Sequence, residues 1–161
     1  MTVGLTPKRD LFLITGIPGT GKTWYGDKFA SEFGFVHYDL EVQQALGHFS
    51  SNPAHFIAGA VGQKRNVVIT WGFLPDQTQT ALVLQIRNAG FKLIWFDGNR
   101  PAALREFIKR ESVPEVCFYL QMYRIETTKV VETMKPVIID PFDAQGGFKS
   151  TAMLLDEIRQ Q

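Results

Sequence analysis

The run Gly16-Ile17-Pro18-Gly19-Thr20-Gly21-Lys22-Thr23 constrains this chain more than any other stretch. It follows the apolar segment Leu11 to Thr15 and precedes a stretch with helical character up to Phe33, so it reads as a loop between a buried strand and a helix. The glycines let the backbone bend tightly and turn successive N–H groups inward, and the positive end of the following helix dipole adds to them. Such a concave nest suits a polyphosphate. The spacing G-x-x-x-x-G-K-[ST] is complete, with Lys22 placed to reach the β- and γ-phosphates and the Thr23 hydroxyl placed to ligate the Mg²⁺ that accompanies them. The nucleotide-binding segment expected here is Gly16, Ile17, Pro18, Gly19, Thr20, Gly21, Lys22, Thr23 and Trp24.

Around this loop, short apolar runs alternate with longer amphipathic stretches, the pattern of an α/β domain with a mainly parallel sheet. Five strands are predicted, over Asp10 to Thr15, Phe35 to Tyr38, Asn66 to Thr70, Phe91 to Phe96 and Pro136 to Ile139. A first helix runs from about Gly21 to Phe33, and two shorter ones fill Leu40 to Lys64, with Asn52 and Pro53 as an N-cap and a first-turn proline. Another helix spans about Asp76 to Ala89. Two more lie between Pro101 and Met134, separated at Pro114, and a last one spans about Phe148 to Arg159. Right-handed crossovers then give a three-layer α/β/α arrangement with a parallel five-strand sheet, ordered 2-3-1-4-5.

The length of 161 residues fits one compact domain over 1–161, and 45% apolar with 20% charged residues is ordinary for a folded soluble protein. Seventeen Lys and Arg against sixteen Asp and Glu leave a net charge of +1, so no overall field draws the molecule to nucleic acid or an anionic membrane. The lone Cys117 excludes an internal disulfide and the usual zinc-knuckle spacings, and suits a reducing cytoplasm. Leu11 to Ile14, behind Lys8 and Arg9, is too brief for a signal or membrane segment, so no targeting segment is expected.

Beyond the loop, Val67 to Phe73 ends an apolar strand without the acidic residue that many ATPases place there for the metal. The carboxylate is then sought in Asp39, at the carboxyl end of the second strand, where ligands gather in an open α/β sheet. Asp39 can orient Mg²⁺ through water, take a proton from a substrate hydroxyl, or simply cap the next helix. Glu41 reads as a solvated acid of a first helical turn. Arg100, Arg105, Lys109 and Arg110 form a basic cluster after the fourth strand, either a lid over the transferring phosphoryl group or a solvated helix face. Arg110 is the preferred lid residue, with Arg124 behind it.

Together these residues resemble the small P-loop kinases of metabolites, the group of gluconate kinase, shikimate kinase, chloramphenicol phosphotransferase and the nucleoside monophosphate kinases. The resemblance covers most of the chain and rests on the Gly16 to Thr23 loop, Asp39, the Thr70-Trp71-Gly72 ending and the arginine-bearing helix before the fifth strand. Val68 to Phe73 looks like a reduced form of the T-G-G-G ending of shikimate kinase, and Gln121 to Glu126 is similar to a helix after the lid of gluconate kinase. Two departures stand out. Phe56-Ile57 lies where shikimate kinase has its carboxylate-holding Phe-Arg pair, and Gly72-Phe73-Leu74-Pro75 replaces the gluconate kinase signature after the third strand.

The resemblance implies ATP as phosphoryl donor, Mg²⁺ as metal, and a small-molecule acceptor carrying a hydroxyl or a phosphate, with no extended nucleic-acid groove. Lys22, Asp39 and Arg110 are the implied catalytic residues, and Thr23 and Asp39 the metal-binding ones. The acceptor would lie between Asp39 and Gly72 under residues 40–64, which supply His48, Phe49, His55 and Phe56, and the lid would be 100–124. For those four side chains ordinary packing is the favoured reading, while Trp71 suits either a substrate ring or the core. Adenine would rest at Asp140 to Gly147, a stretch that also reads as a plain turn. A hydrolase and a nucleotide-binding regulator without turnover remain as alternatives.

Overall fold

The computed structural model describes residues 8–161, so residues 1–7 of the expected 1–161 domain lie outside it. Five parallel strands, β1 (Leu11–Gly16), β2 (Val36–Asp39), β3 (Val67–Thr70), β4 (Lys92–Phe96) and β5 (Val137–Ile139), form one sheet ordered β2-β3-β1-β4-β5. This is the predicted order, and the strands fall within a residue or two of their predicted bounds.

Side chains of successive strand residues point to opposite faces, so each strand serves two cores. Leu13, Val67, Ile69, Leu93 and Trp95 face one layer of helices, namely α2 (Gln43–Ser51), α3 (Pro53–Val61), α4 (Gln77–Asn88), α5 (Arg100–Lys109), α6 (Val116–Thr128) and α7 (Val130–Met134). Phe12, Ile14, Val68, Ile94 and Phe96 face α1 (Lys22–Phe33) and α8 (Thr151–Gln160), where Tyr25, Phe29, Leu154 and Ile158 meet them. Burial on both faces explains why the strands read as continuous apolar runs.

Helix starts follow their capping signals. Asn52 accepts from His55 N at 3.2 Å, Asp76 from Gln79 N at 2.7 Å and Asn99 from Ala102 N at 3.0 Å. Gly34, with φ 73°, ends α1 by donating its N–H to Phe29 O. Two boundaries differ from expectation. The segment between Pro101 and Met134 holds three helices, because Lys129 adopts φ 53° and breaks the second from the third. The last helix starts at Thr151, capped by Ser150, because Phe148 is engaged in a bridge to Phe142. Among the described residues no helix is long and apolar enough to cross a membrane.

Candidate functional site

The loop from Gly16 to Thr23 leaves β1 at the carboxyl edge of the sheet and passes very close to its neighbours. A β-carbon on Gly16 (φ 133°) would lie 2.3 Å from Phe96 O, and one on Gly19 (φ 78°) 2.0 Å from Ala103 O, so only glycine fits either place. The loop is pinned to β4 by Ile17 N donating to Phe96 O at 3.0 Å. No side chain caps the N-terminus of α1 and its first turn holds no acid, which leaves its N–H groups and positive dipole end unopposed.

Lys22 is buried, and its ammonium donates to Ile17 O at 2.9 Å, beside the Thr20 hydroxyl at 2.8 Å from the same oxygen. Burial is the main reason that its pKa falls from an ordinary 10.5 to about 8. Arg110 lowers it further, whereas Glu41 and Asp39 oppose the fall. A buried ammonium without an ion pair is costly, and an incoming polyphosphate would compensate it.

Thr23 donates its hydroxyl to Asp39 Oδ2 at 3.0 Å, so the expected metal pair is in contact. Asp39 Oδ1 accepts from Glu41 N at 3.0 Å and lies 3.4 Å from the Thr70 hydroxyl, its register partner on β3. A cavity of about 230 Å³ opens beside the loop, between Lys22 and Thr23 on one side and Glu41, Gly72, Arg110 and Gln121 on the other. Glu41 is exposed, as expected of a solvated acid, but it lines this cavity instead of standing in the first turn of a helix. It precedes α2, and its Oε1 would be 2.2 Å from a β-carbon on Gly72. A turn after β2 brings it there, with Val42 N donating to Asp39 O at 3.2 Å, and no strand alternation in the sequence signals it.

Of the basic cluster, only Arg110 lines this cavity. Arg100 is tied to Asp97 at 3.0 Å and Glu126 at 2.9 Å, Lys109 to Glu106 at 2.9 Å, and Arg105 to the Gly146 carbonyl. Arg124 sits beside Gln121 in a narrow crevice that continues past Gly72 toward Pro75. Trp71 belongs to the core at 3% exposure, edge-on to Phe49 at 5.7 Å, so the substrate-stacking reading of that indole is corrected. Phe56 packs on Phe49, while His48 and His55 line a separate groove of about 480 Å³ with Tyr38 and Gln63; none of these four residues of 40–64 lines the cavity at the loop.

Trp24 turns outward at 43% exposure and stacks on Phe148 at 5.6 Å, so its indole is also outside that cavity. The Asp140 to Gly147 segment is an organised turn. Asp140 accepts from Phe142 N and Asn99 N, and Asp143 accepts from Gln145 N and Gly147 N. Phe148, just after it, packs against Gly21 of the phosphate loop and brings the turn alongside. A larger open basin of about 1180 Å³ lies at the opposite edge of the sheet, but its arginines are engaged there, Arg9 with the Gln63 carbonyl. Arg65 donates to Gly34 O at 3.1 Å at the end of α1, and Arg159 pairs with Asp10 at 2.7 Å.

No family model and no curated protein sequence matches this chain. Solved structures do match it in fold. Shikimate kinase from Bacteroides thetaiotaomicron superposes with a TM-score of 0.61 at 15% identity, over 94% of this chain and 99% of that one. Shikimate kinase from Acinetobacter baumannii, in complex with shikimate, gives 0.63 at 14% identity, over 95% of this chain and 92% of the other. A gluconokinase from Sinorhizobium meliloti 1021 gives 0.53 at 14% identity, over 96% and 99%. At these identities the likeness establishes the fold, that of the P-loop kinases, and fold alone does not fix a reaction.

Proposed function

We propose that this protein binds ATP with Mg²⁺ and transfers the γ-phosphoryl group to a small-molecule acceptor. The observation that carries this reading is the buried Lys22 at the uncapped start of α1, facing Glu41 across the small cavity beside the loop. The nest would hold the phosphates through its N–H groups and Lys22, and Arg110 would meet the charge that develops on the migrating group.

The donor set suits magnesium. Among the described residues no cluster of three or more His, Cys, Asp or Glu could enclose a metal ion. A Mg²⁺ that keeps water and phosphate oxygens needs only a hydroxyl and a nearby carboxylate, which Thr23 and Asp39 offer. Bound there, it would neutralise phosphate charge.

The two acids would divide the labour. Asp39 is occupied by Thr23 and the Glu41 N–H, whereas the Glu41 carboxylate lies in the cavity. Glu41 is therefore the group to accept a proton from an acceptor hydroxyl as its oxygen bonds to the γ-phosphorus and the bond to the β-phosphate oxygen breaks. A carboxylate in that place repels a second phosphate, which favours a hydroxyl acceptor over a phosphate one. The half-buried free Cys117 fits a cytoplasmic setting, where thiols stay reduced.

The test has two parts. Equilibrium dialysis should detect magnesium-dependent uptake of ATP, and incubation of a metabolite pool with γ-labelled ATP should yield one new labelled phosphomonoester. Release of free phosphate alone would mean a hydrolase, binding without turnover would mean a regulator, and no uptake at millimolar ATP would end the proposal.

A further inference from the structure

A chain of side-chain contacts runs behind Asp39, away from the cavity. His37 Nε2 lies 2.7 Å from Thr70 Oγ1, Thr70 Oγ1 lies 3.4 Å from Asp39 Oδ1, and Thr23 Oγ1 reaches Asp39 Oδ2 at 3.0 Å. At the other end His37 Nδ1 meets Asp27 Oδ1 at 2.9 Å, so the chain leaves α1 at Asp27 and returns to it at Thr23. The sheet makes this possible. Asp39 and Thr70 are register partners on β2 and β3, and His37, two residues before Asp39, projects from the same face.

The sequence has made room for the ring. A β-carbon on Gly26 would lie 2.3 Å from His37 Nε2, 2.5 Å from Cε1 and 2.7 Å from Cδ2, so any side chain there would drive the imidazole away. A glycine in the interior of a helix weakens it, and here the vacated space is filled by His37, whose side chain is only 7% exposed. Thr70, 1% exposed, has a single hydroxyl hydrogen. An imidazole donating from both nitrogens, Nδ1–H to the Asp27 carboxylate and Nε2–H to Thr70 Oγ1, leaves that hydrogen for Asp39 Oδ1.

Building on the magnesium-nucleotide reading above, we infer that His37 is a positioning residue. Seated in the space left by Gly26, it aims the Thr70 hydroxyl at Asp39 and so fixes the carboxylate that faces Thr23. His37 touches neither the loop nor the cavity, and its influence passes through Asp39. Partners of this kind typically change metal affinity by about 10–100-fold when they are removed.

The effect is read from ATP dissociation constants measured with and without Mg²⁺ on the whole chain. His37→Leu and Gly26→Ala are expected to bind metal-free ATP as the parent does, which also reports an intact fold, and to lose about 10–100-fold of the gain that Mg²⁺ confers. His37→Gln, which keeps an amide donor near Nε2, is expected to recover most of that gain. An unchanged magnesium gain in His37→Leu overturns the inference, as does an equal loss with and without the metal, which would mark a purely structural histidine. If the parent itself binds no ATP, the phosphate-site reading falls first and this one with it.

Discussion

The Glu41 carboxylate rests over Gly72, at a distance that admits no side chain, since Oε1 would be 2.2 Å from a β-carbon there. The two residues come from the ends of neighbouring parallel strands, β2 and β3, and together they form the wall of the cavity facing Lys22. Gly72 is exposed and the carboxylate is the free end of a flexible side chain, so Gly72→Ala should move Glu41 rather than unfold the protein. The expected result is a melting temperature and ATP affinity close to the parent, with phosphoryl transfer slowed as in Glu41→Gln, by about 10²–10⁴-fold if Glu41 is the base. Transfer from labelled ATP measures this, and full activity in Gly72→Ala would remove Glu41 from the reaction.

Lys22 links stability to pH in an unusual direction. Its folded pKa is about 8 against an ordinary 10.5, so between these values the unfolded chain holds a proton that the folded chain has shed. Stability of the nucleotide-free protein should therefore rise with pH across that window, and below it the buried charge is a standing cost. At about 1.4 kcal/mol per pH unit, that cost is on the order of 3 kcal/mol. Lys22→Met should raise the melting temperature at pH 7, flatten the rise above pH 8, and abolish ATP binding. A melting temperature unchanged by Lys22→Met at pH 7 would show that the ammonium is better compensated than its surroundings imply.

Arg110 and Arg100 differ by their partners. Arg100 is held by Asp97 and Glu126 at a half-exposed site, so Arg100→Ala should change stability by about 1 kcal/mol or less and leave transfer intact. Arg110 lines the cavity, and loss of a group that meets transition-state charge costs roughly 10²–10³ in rate. Steady-state rates of both variants with saturating ATP decide between them; equal rates would take Arg110 out of the lid role.

What could be read from the sequence depended on how local each cause is. The loop was legible because Gly16, Gly19 and Lys22 answer to a backbone shape and a charge that adjacent residues impose. The strand order followed from apolar runs and crossover handedness. Lys129 was not legible as a helix break, since lysine carries no preference for φ 53°, and on either side of it Ile125 and Val130 are both buried in the same core. His37 owes its position to register between β2 and β3, which no single stretch of sequence encodes, and Glu41 to the turn that follows β2. Trp71 ends a strand, where an indole can turn inward or outward, and only the presence of Phe49 and Phe73 beside it decides.

The two tryptophans near the loop should consequently behave in opposite ways. Trp71 packs against Phe49 and Phe73 inside the sheet-and-helix core, so Trp71→Ala leaves a large cavity and should cost roughly 3–5 kcal/mol. Trp24 is 43% exposed and loses its edge contact with Tyr25 and its stacking on Phe148, so Trp24→Ala should cost only about 0.5–1.5 kcal/mol. Urea titration separates the two through the midpoint at constant slope. With the fold kept intact well below its midpoint, Trp71→Ala should still bind ATP, because neither Lys22 nor Thr23 rests on that indole. Normal stability in Trp71→Ala combined with lost phosphoryl transfer would return Trp71 to the substrate and refute its assignment to the core.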